Sequence, residues 1–235
     1  MLKKSRVIYI IKRIVHIIFD DKGVNIMKRF VKSIGCIMLC AALAISFVAC
    51  SKKPSKSETL NGLTNEMTAE NVTATVEAIE KGLKDFDTDV FDACVSSETL
   101  EYIISFAKNH EQFSQLGKDI FANLSMEIVN IDLQAKTVTV SVTNKYLYTA
   151  ASDFTYELLA DGKMNLISKL DDEAFLDKSL ARLEEDINSA EMIEEPVEVT
   201  LTIAQGEEYL KLTFDEDAEA AVSGRALTAV KDAIG

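Results

Sequence analysis

The chain has 235 residues, of which 38 are Asp or Glu and 25 are Lys or Arg, giving a formal net charge of −13, with four Cys, two His and no Trp. Residues 1–49 hold nine of the basic residues and two of the acidic ones, which leaves 16 basic and 36 acidic residues from Cys50 onward, a charge of −20. A surface of that sign repels nucleic-acid phosphates and anionic headgroups, so nucleic acid is excluded as a partner.

Residues 1–26 mix Lys3, Lys4, Arg6, Lys12, Arg13 and Lys22 with Ile and Val. They read as an upstream artefact of a chain that starts at Met27, or as a basic cytoplasmic segment suited to a membrane surface. Residues 27–49 have the parts of an export signal: a basic head (Lys28, Arg29, Lys32), an uncharged run from Ile34 to Phe47, and small Ala49 before the cut. The run is 14 residues, short of the ~20 that a spanning helix needs. Phe47-Val48-Ala49-Cys50 resembles the lipobox of bacterial lipoproteins, with Phe47 where that pattern usually has Leu. The resemblance implies cleavage between Ala49 and Cys50 and a lipid on Cys50. It also implies anchorage at the extracytoplasmic face of the cell membrane.

Residues 50–67 read as a flexible tether, with Pro54, Gly62, several Ser and Thr, and no apolar period. A single α+β domain is expected over 68–235, long enough for one ordinary core. After removal of the signal only Cys50 and Cys94 remain, so no intramolecular disulfide is expected and Cys94 reads as a buried, inert thiol.

Thr68 is a candidate N-cap for a first helix, Ala69 to Lys84, whose Val72, Val76, Ile79 and Leu83 form one stripe of a 3.6-residue period. A turn through Asp85–Thr88 leads to a short helix ending near Val95. A third helix follows from Ser97, with Leu100, Ile103, Ile104 and Ala107 inward. Val138, Val140 and Val142 alternate with Thr and Ser, a half-buried strand that pairs with Met126–Leu133 across a short Gln134-Ala135 link. Residues 150–194 read as two helices broken near Gly162. A second hairpin pairs Val197–Ile203 with Leu210–Phe214 across Gln205-Gly206, and a closing helix runs from Asp217 to Ile234. The expected architecture is therefore a curved four-stranded antiparallel sheet of two hairpins. N-terminal helices, a helical insertion between the hairpins and one C-terminal helix pack around it.

Three places in this pattern resemble small Gram-positive lipoproteins whose domain is a nuclear-transport-factor-2-like, or cystatin-like, cone. They are the Gly82–Asp87 turn, the strand end Val140–Asn144, and Tyr209-Leu210-Lys211-Leu212 before an Ala-rich helix. In that group the last strand often carries a Trp, which this chain lacks. The resemblance implies the fold and the location, for a group whose members mostly have no assigned activity, and the concave face of the sheet is the default pocket.

Asp85, Asp87 and Asp89 alternate as at the start of a calcium loop. Counted from Asp85, Val90 stands where the turn needs Gly and Ser96 where a bidentate Glu is needed, so the triplet reads as helix capping. Glu184-Glu185-Asp186 and Asp215-Glu216-Asp217 read as solvated faces. Tyr146 and Tyr148 edge the core or line an apolar pocket. His110 sits between Phe106 and Phe113 at helical spacing, and with Tyr102 it would serve an isomerase or hydrolase of the cone type. No cofactor or metal site is expected. The leading expectation is a non-catalytic, membrane-anchored binding or interaction domain for a small molecule or protein; the alternatives are a cone enzyme and an accessory subunit of an envelope complex.

Overall fold

A computed structural model describes residues 57–97, 99–100, 111–160 and 173–234. Ala49, Cys50, Tyr102, His110 and the expected helix break at Gly162 lie outside them.

Helix α1 (Ala69–Asp85) begins where expected. The Thr68 hydroxyl accepts the Asn71 N–H at 3.2 Å, satisfying one of the four amides that a helix start leaves without partners. Val72, Val76, Ile79 and Leu83 are all buried. The helix closes through Phe86 in the left-handed region (φ 53°), with the Asp87 N–H on the Gly82 carbonyl at 2.7 Å. Asp87 then caps α2 (Thr88–Cys94) by accepting the Asp89 N–H at 3.0 Å. Asp85 pairs with Lys81 at 3.0 Å. Asp87 is thus occupied with capping and Asp85 with surface pairing, while Asp89 stands in the first turn of α2.

After α2 the chain forms a two-residue strand β1 (Val95–Ser96), and residues 99–100 are helical again. Helix α3 (Glu111–Phe121) leads to the hairpin β2 (Ser125–Asp132) and β3 (Thr137–Thr143). The insertion contributes α4 (Tyr148–Leu159) and α5 (Glu173–Ser189). The second hairpin, β4 (Val197–Gln205) and β5 (Leu210–Thr213), is followed by α6 (Glu216–Val222) and α7 (Ala226–Ile234).

The fold is α+β, with an open mixed sheet in the order β1-β5-β4-β3-β2. Both expected hairpins form, but the sheet has five strands rather than four. Val95 and Ser96 pair with Leu212 and Thr213 in parallel, while the other neighbours are antiparallel. The physical reason is the free edge of β5, whose backbone groups need partners. One sheet face presents Val138, Val140, Val142, Val199, Leu201 and Ile203, all buried in one apolar cluster with α1, α2 and α6. The opposite face carries Thr and Ser with Glu127 and Glu198, and is tied across β3 and β4 by the Thr139 and Thr200 hydroxyls at 3.1 Å. A second, smaller cluster joins Leu147, Ala150 and Ala151 of the α4 region to Leu183 and Ile187 of α5 and Ala226 and Ala229 of α7.

Two further expectations are corrected. The tether was expected to reach residue 67, yet the chain is folded from Ser57. Leu60 is buried, the Leu210 N–H donates to the Thr64 carbonyl at 3.1 Å, and the Asn65 side-chain amide donates to the carbonyls of Gly206 and Glu207, both at 3.1 Å. Ser57 itself donates to the Asp87 carboxylate. The single C-terminal helix is two helices, separated at Gly224 (φ 56°) and Arg225 (φ 66°). Two consecutive left-handed residues cannot continue a right-handed helix.

Candidate functional site

An open groove of about 600 Å³ lies at the end of the sheet where β3 leaves it. Its frame is the segment Asn144–Leu147. On one side this segment is bonded to the loop after α5: the Ile193 N–H donates to the Asn144 carbonyl at 2.9 Å and the Tyr146 N–H to the Glu191 carbonyl at 2.7 Å. On the other side the Leu147 N–H donates to the Gly224 carbonyl at 2.8 Å.

Asn144 locks this frame from inside. It is fully buried; its side-chain amide donates to the carbonyls of Ile120 (3.0 Å) and Val222 (2.8 Å), and its Oδ1 accepts the Lys145 N–H at 2.8 Å. Three elements, the C-terminal ends of α3 and α6 and the end of β3, therefore meet on one side chain. Lys145 reaches the end of α5, donating to the carbonyls of Ile187 (3.0 Å) and Asn188 (2.7 Å), where a helix leaves its last carbonyls without partners and carries partial negative charge.

The groove is lined by Tyr146 and Met192, which are 43% and 46% exposed, and by the acidic residues Asp153, Asp186, Glu191 and Glu194. Tyr146 stacks on Tyr148 with ring centres 6.3 Å apart and planes 23° from parallel. Tyr148 donates from its hydroxyl to Asp232 at 2.9 Å, and this bond to a carboxylate holds the phenol proton above its ordinary range. The Arg225 guanidinium lies over the Tyr148 ring, 6.0 Å from its centre. Arg225 is held in a left-handed conformation that costs a non-glycine residue about 1 kcal/mol, and the ring beneath it offsets part of that cost.

The other sequence candidates fall elsewhere. Cys94 is fully buried, and burial pushes its thiol up from the ordinary 9.0 to about 11, against a smaller lowering by the charge of Lys211. A thiol held protonated in an apolar site is no nucleophile. At pH 8 this lowers the thiolate fraction about a hundredfold relative to the unfolded chain. Alkylation at position 94, mapped by mass spectrometry, is expected to be slower by at least that factor until denaturant is added; equal rates would show an accessible thiol. The same shift favours folding below about pH 9, and its contribution is lost as pH climbs toward 11.

Of the two acidic clusters, only Asp186 reaches the groove. Asp215 caps α6 by accepting the Ala218 N–H at 2.9 Å, and Glu216 lies 3.6 Å from Lys231. Sequence reasoning missed Glu219, which is buried within α6, accepts the Ser97 hydroxyl at 2.5 Å and lies 3.5 Å from Lys231. Ser97 is buried too and accepts the Leu100 N–H at 3.0 Å, so this trio pins the start of a helix to α6 and presents no reactive hydroxyl. Among the described residues, the covered face of the sheet is occupied by core side chains. Among the described residues no group of three or more His, Cys, Asp or Glu is placed to hold a metal ion, and no helix is long and apolar enough to cross a membrane.

No protein-family model, no curated protein and no solved structure matches this chain.

Proposed function

We propose that this chain is an extracytoplasmic lipoprotein, held at the cell membrane through lipid on Cys50, whose domain works by docking a partner polypeptide. We also read its two hairpins and one-sided helical cover as a relative of the nuclear-transport-factor-2-like cone. The observation that carries the docking reading is the groove rimmed by exposed Tyr146 and Met192 beside the Tyr148–Arg225 stack. Tyr, Met and Arg are the side chains enriched where protein surfaces meet. The packed face of the sheet favours a surface partner over a small molecule enclosed in the fold.

The anchor and the groove belong together in this reading. The fold takes up the chain at Ser57, so the leash from Cys50 reaches at most about 25 Å. A domain held that close to the bilayer meets partners of the envelope rather than soluble ones at a distance.

One experiment tests both parts. A photoreactive amino acid is placed at position 192, or at position 200 on the open sheet face, in the full-length chain in its native host. Crosslinked adducts of defined mass are expected from 192, few from 200, and fewer from 192 when Cys50→Ala releases the chain from the membrane. Intact mass of the membrane-extracted chain should begin at a diacylglyceryl Cys50. Unacylated full-length chain recovered from cytosol, or adducts indifferent to position, would overturn the reading.

A further inference from the structure

The groove has a definite charge. Its lining draws Asp153 from α4, Asp186 from the last turns of α5, and Glu191 and Glu194 from the loop that follows, and it includes no Lys or Arg. The chain's own cations show what this corner accepts. The Lys145 ammonium sits on the carbonyls of Ile187 and Asn188 at 3.0 and 2.7 Å. The Arg225 guanidinium sits over the ring of Tyr148, and that ring stacks on Tyr146 in the groove wall. An ammonium is thus held by carbonyl oxygens at a helix end, and a guanidinium by an aromatic face. Asp153, Asp186, Glu191 and Glu194, with Asp232 on the Tyr148 hydroxyl, stand against these two internal cations and leave an excess of three negative charges at the corner.

We propose that the groove binds a Lys- or Arg-bearing stretch of a partner polypeptide. The cationic head lies among Asp153, Glu191 and Glu194, and the methylene stem runs along Tyr146 and Met192. Long basic side chains bury their stems on apolar surface while the head stays hydrated, and this groove offers both surfaces side by side. Met192 adds a flexible thioether that adapts to different neighbours of the basic residue. The volume of about 600 Å³, open to solvent, admits a side chain with its flanking backbone. The inference rests on the docking reading above and is independent of the lipid on Cys50.

A chain with a charge of −20 after residue 49 attracts every cation weakly, so the test must separate the groove from the general field. The full-length chain in detergent micelles is titrated calorimetrically with hexalysine, hexaarginine and spermine. The double substitution Asp153→Asn/Glu191→Gln is expected to weaken hexalysine and hexaarginine about tenfold, and Tyr146→Ala about threefold. Glu127→Gln/Glu198→Gln, which removes the same charge from the open sheet face, should leave both unchanged. Photoreactive hexalysine should label Tyr146 or Met192, a readout that does not depend on any variant folding. Equal weakening by both double substitutions, absence of binding, labelling spread over the acidic surface, or spermine binding as tightly as hexalysine would each overturn the proposal. Because the readout is binding in micelles, a failed anchor leaves this result intact, and a failed groove leaves the Cys50 mass intact.

Discussion

Gly224→Ala is expected to destabilise the domain by about 3–5 kcal/mol, combining backbone strain with an overlap that cannot relax locally. Gly224 has φ 56°, and a Cβ placed there would lie 1.9 Å from the Lys145 carbonyl oxygen. That atom is backbone, not the end of a flexible side chain. Relief requires moving segment 144–147 away from the α6–α7 turn, which breaks the 2.8 Å bond from the Leu147 N–H to the Gly224 carbonyl. At about 2–4 °C per kcal/mol for a domain of this size, the thermal midpoint should fall by roughly 6–20 °C. Gly62→Ala is the matched control. Gly62 also has positive φ, 88°, but a Cβ there meets nothing within 4 Å, so it should cost only about 1 kcal/mol of strain. Equal losses at the two positions would mean that the close approach to Lys145 is not real. Because the displaced segment frames the groove, any Gly224→Ala protein that still folds should also lose hexalysine binding.

Much of this fold can be read from residue order because its main elements have long, regular periods. The stripe Val72, Val76, Ile79 and Leu83 repeats over a 17-residue helix, and the Val/Thr alternation of β3 repeats over seven residues. Each pattern has enough turns or pleats to exclude the other. β1 has two residues, too few for any period, and its pairing is decided by the free edge of β5, more than a hundred residues later. Residues 57–67 look like a linker because their three apolar residues, Leu60, Leu63 and Met67, stand among Ser, Thr, Asn and Gly, although all three pack on the core. Polar side chains reaching backbone add to that packing: Asn65 to the β4–β5 turn, and the Asn71 amide to the carbonyls of Thr64 (2.7 Å) and Glu66 (2.8 Å). Composition cannot distinguish such a segment from a disordered one. The split between α6 and α7 did have a signal, since Gly224 interrupts an otherwise continuous apolar pattern.

The groove was legible only in part. Tyr146 and Tyr148 stood out as aromatic residues at a strand end. Glu191, Met192 and Glu194 were expected at the end of a helix running to residue 194, whereas α5 stops at Ser189 and they stand in the loop after it. They reach Tyr146 because residues 144–146 pair with 191–193 across the whole helical insertion, and a contact between segments some 45 residues apart leaves no local trace. Arg225 illustrates the same limit. Its left-handed backbone contradicts its residue type, and only the Tyr148 ring beneath it gives that contradiction a reason.

Asn144→Ala should cost about 3–4 kcal/mol, although it removes few atoms from the core. The loss leaves the carbonyls of Ile120 and Val222 and the N–H of Lys145 without their side-chain partner inside the fold, and each unsatisfied buried group costs about 1–3 kcal/mol. A cavity of that size in a polar site can admit a water, which keeps the total below the sum of the three. Asn144→Asp separates hydrogen bonding from shape. The introduced carboxylate keeps an acceptor for Lys145 but sets its other oxygen against two carbonyl oxygens in a buried site. Burial and the two facing carbonyl oxygens favour the protonated form and outweigh the single Lys145 N–H, which favours the ionised one, so the folded-state pKa lies above the unfolded value. The sign follows: relative to the parent, the variant should be least stable at neutral pH and should recover as pH falls below its raised pKa, where the carboxyl can donate one of the two lost bonds. Denaturant titrations of both variants between pH 4 and pH 8 would show this as a pH-independent loss for Asn144→Ala and a pH-dependent one for Asn144→Asp. A flat profile for Asn144→Asp, or a loss under 1 kcal/mol for Asn144→Ala, would remove this residue as the pin that joins α3, β3 and α6, and with it the rigid frame on which the groove depends.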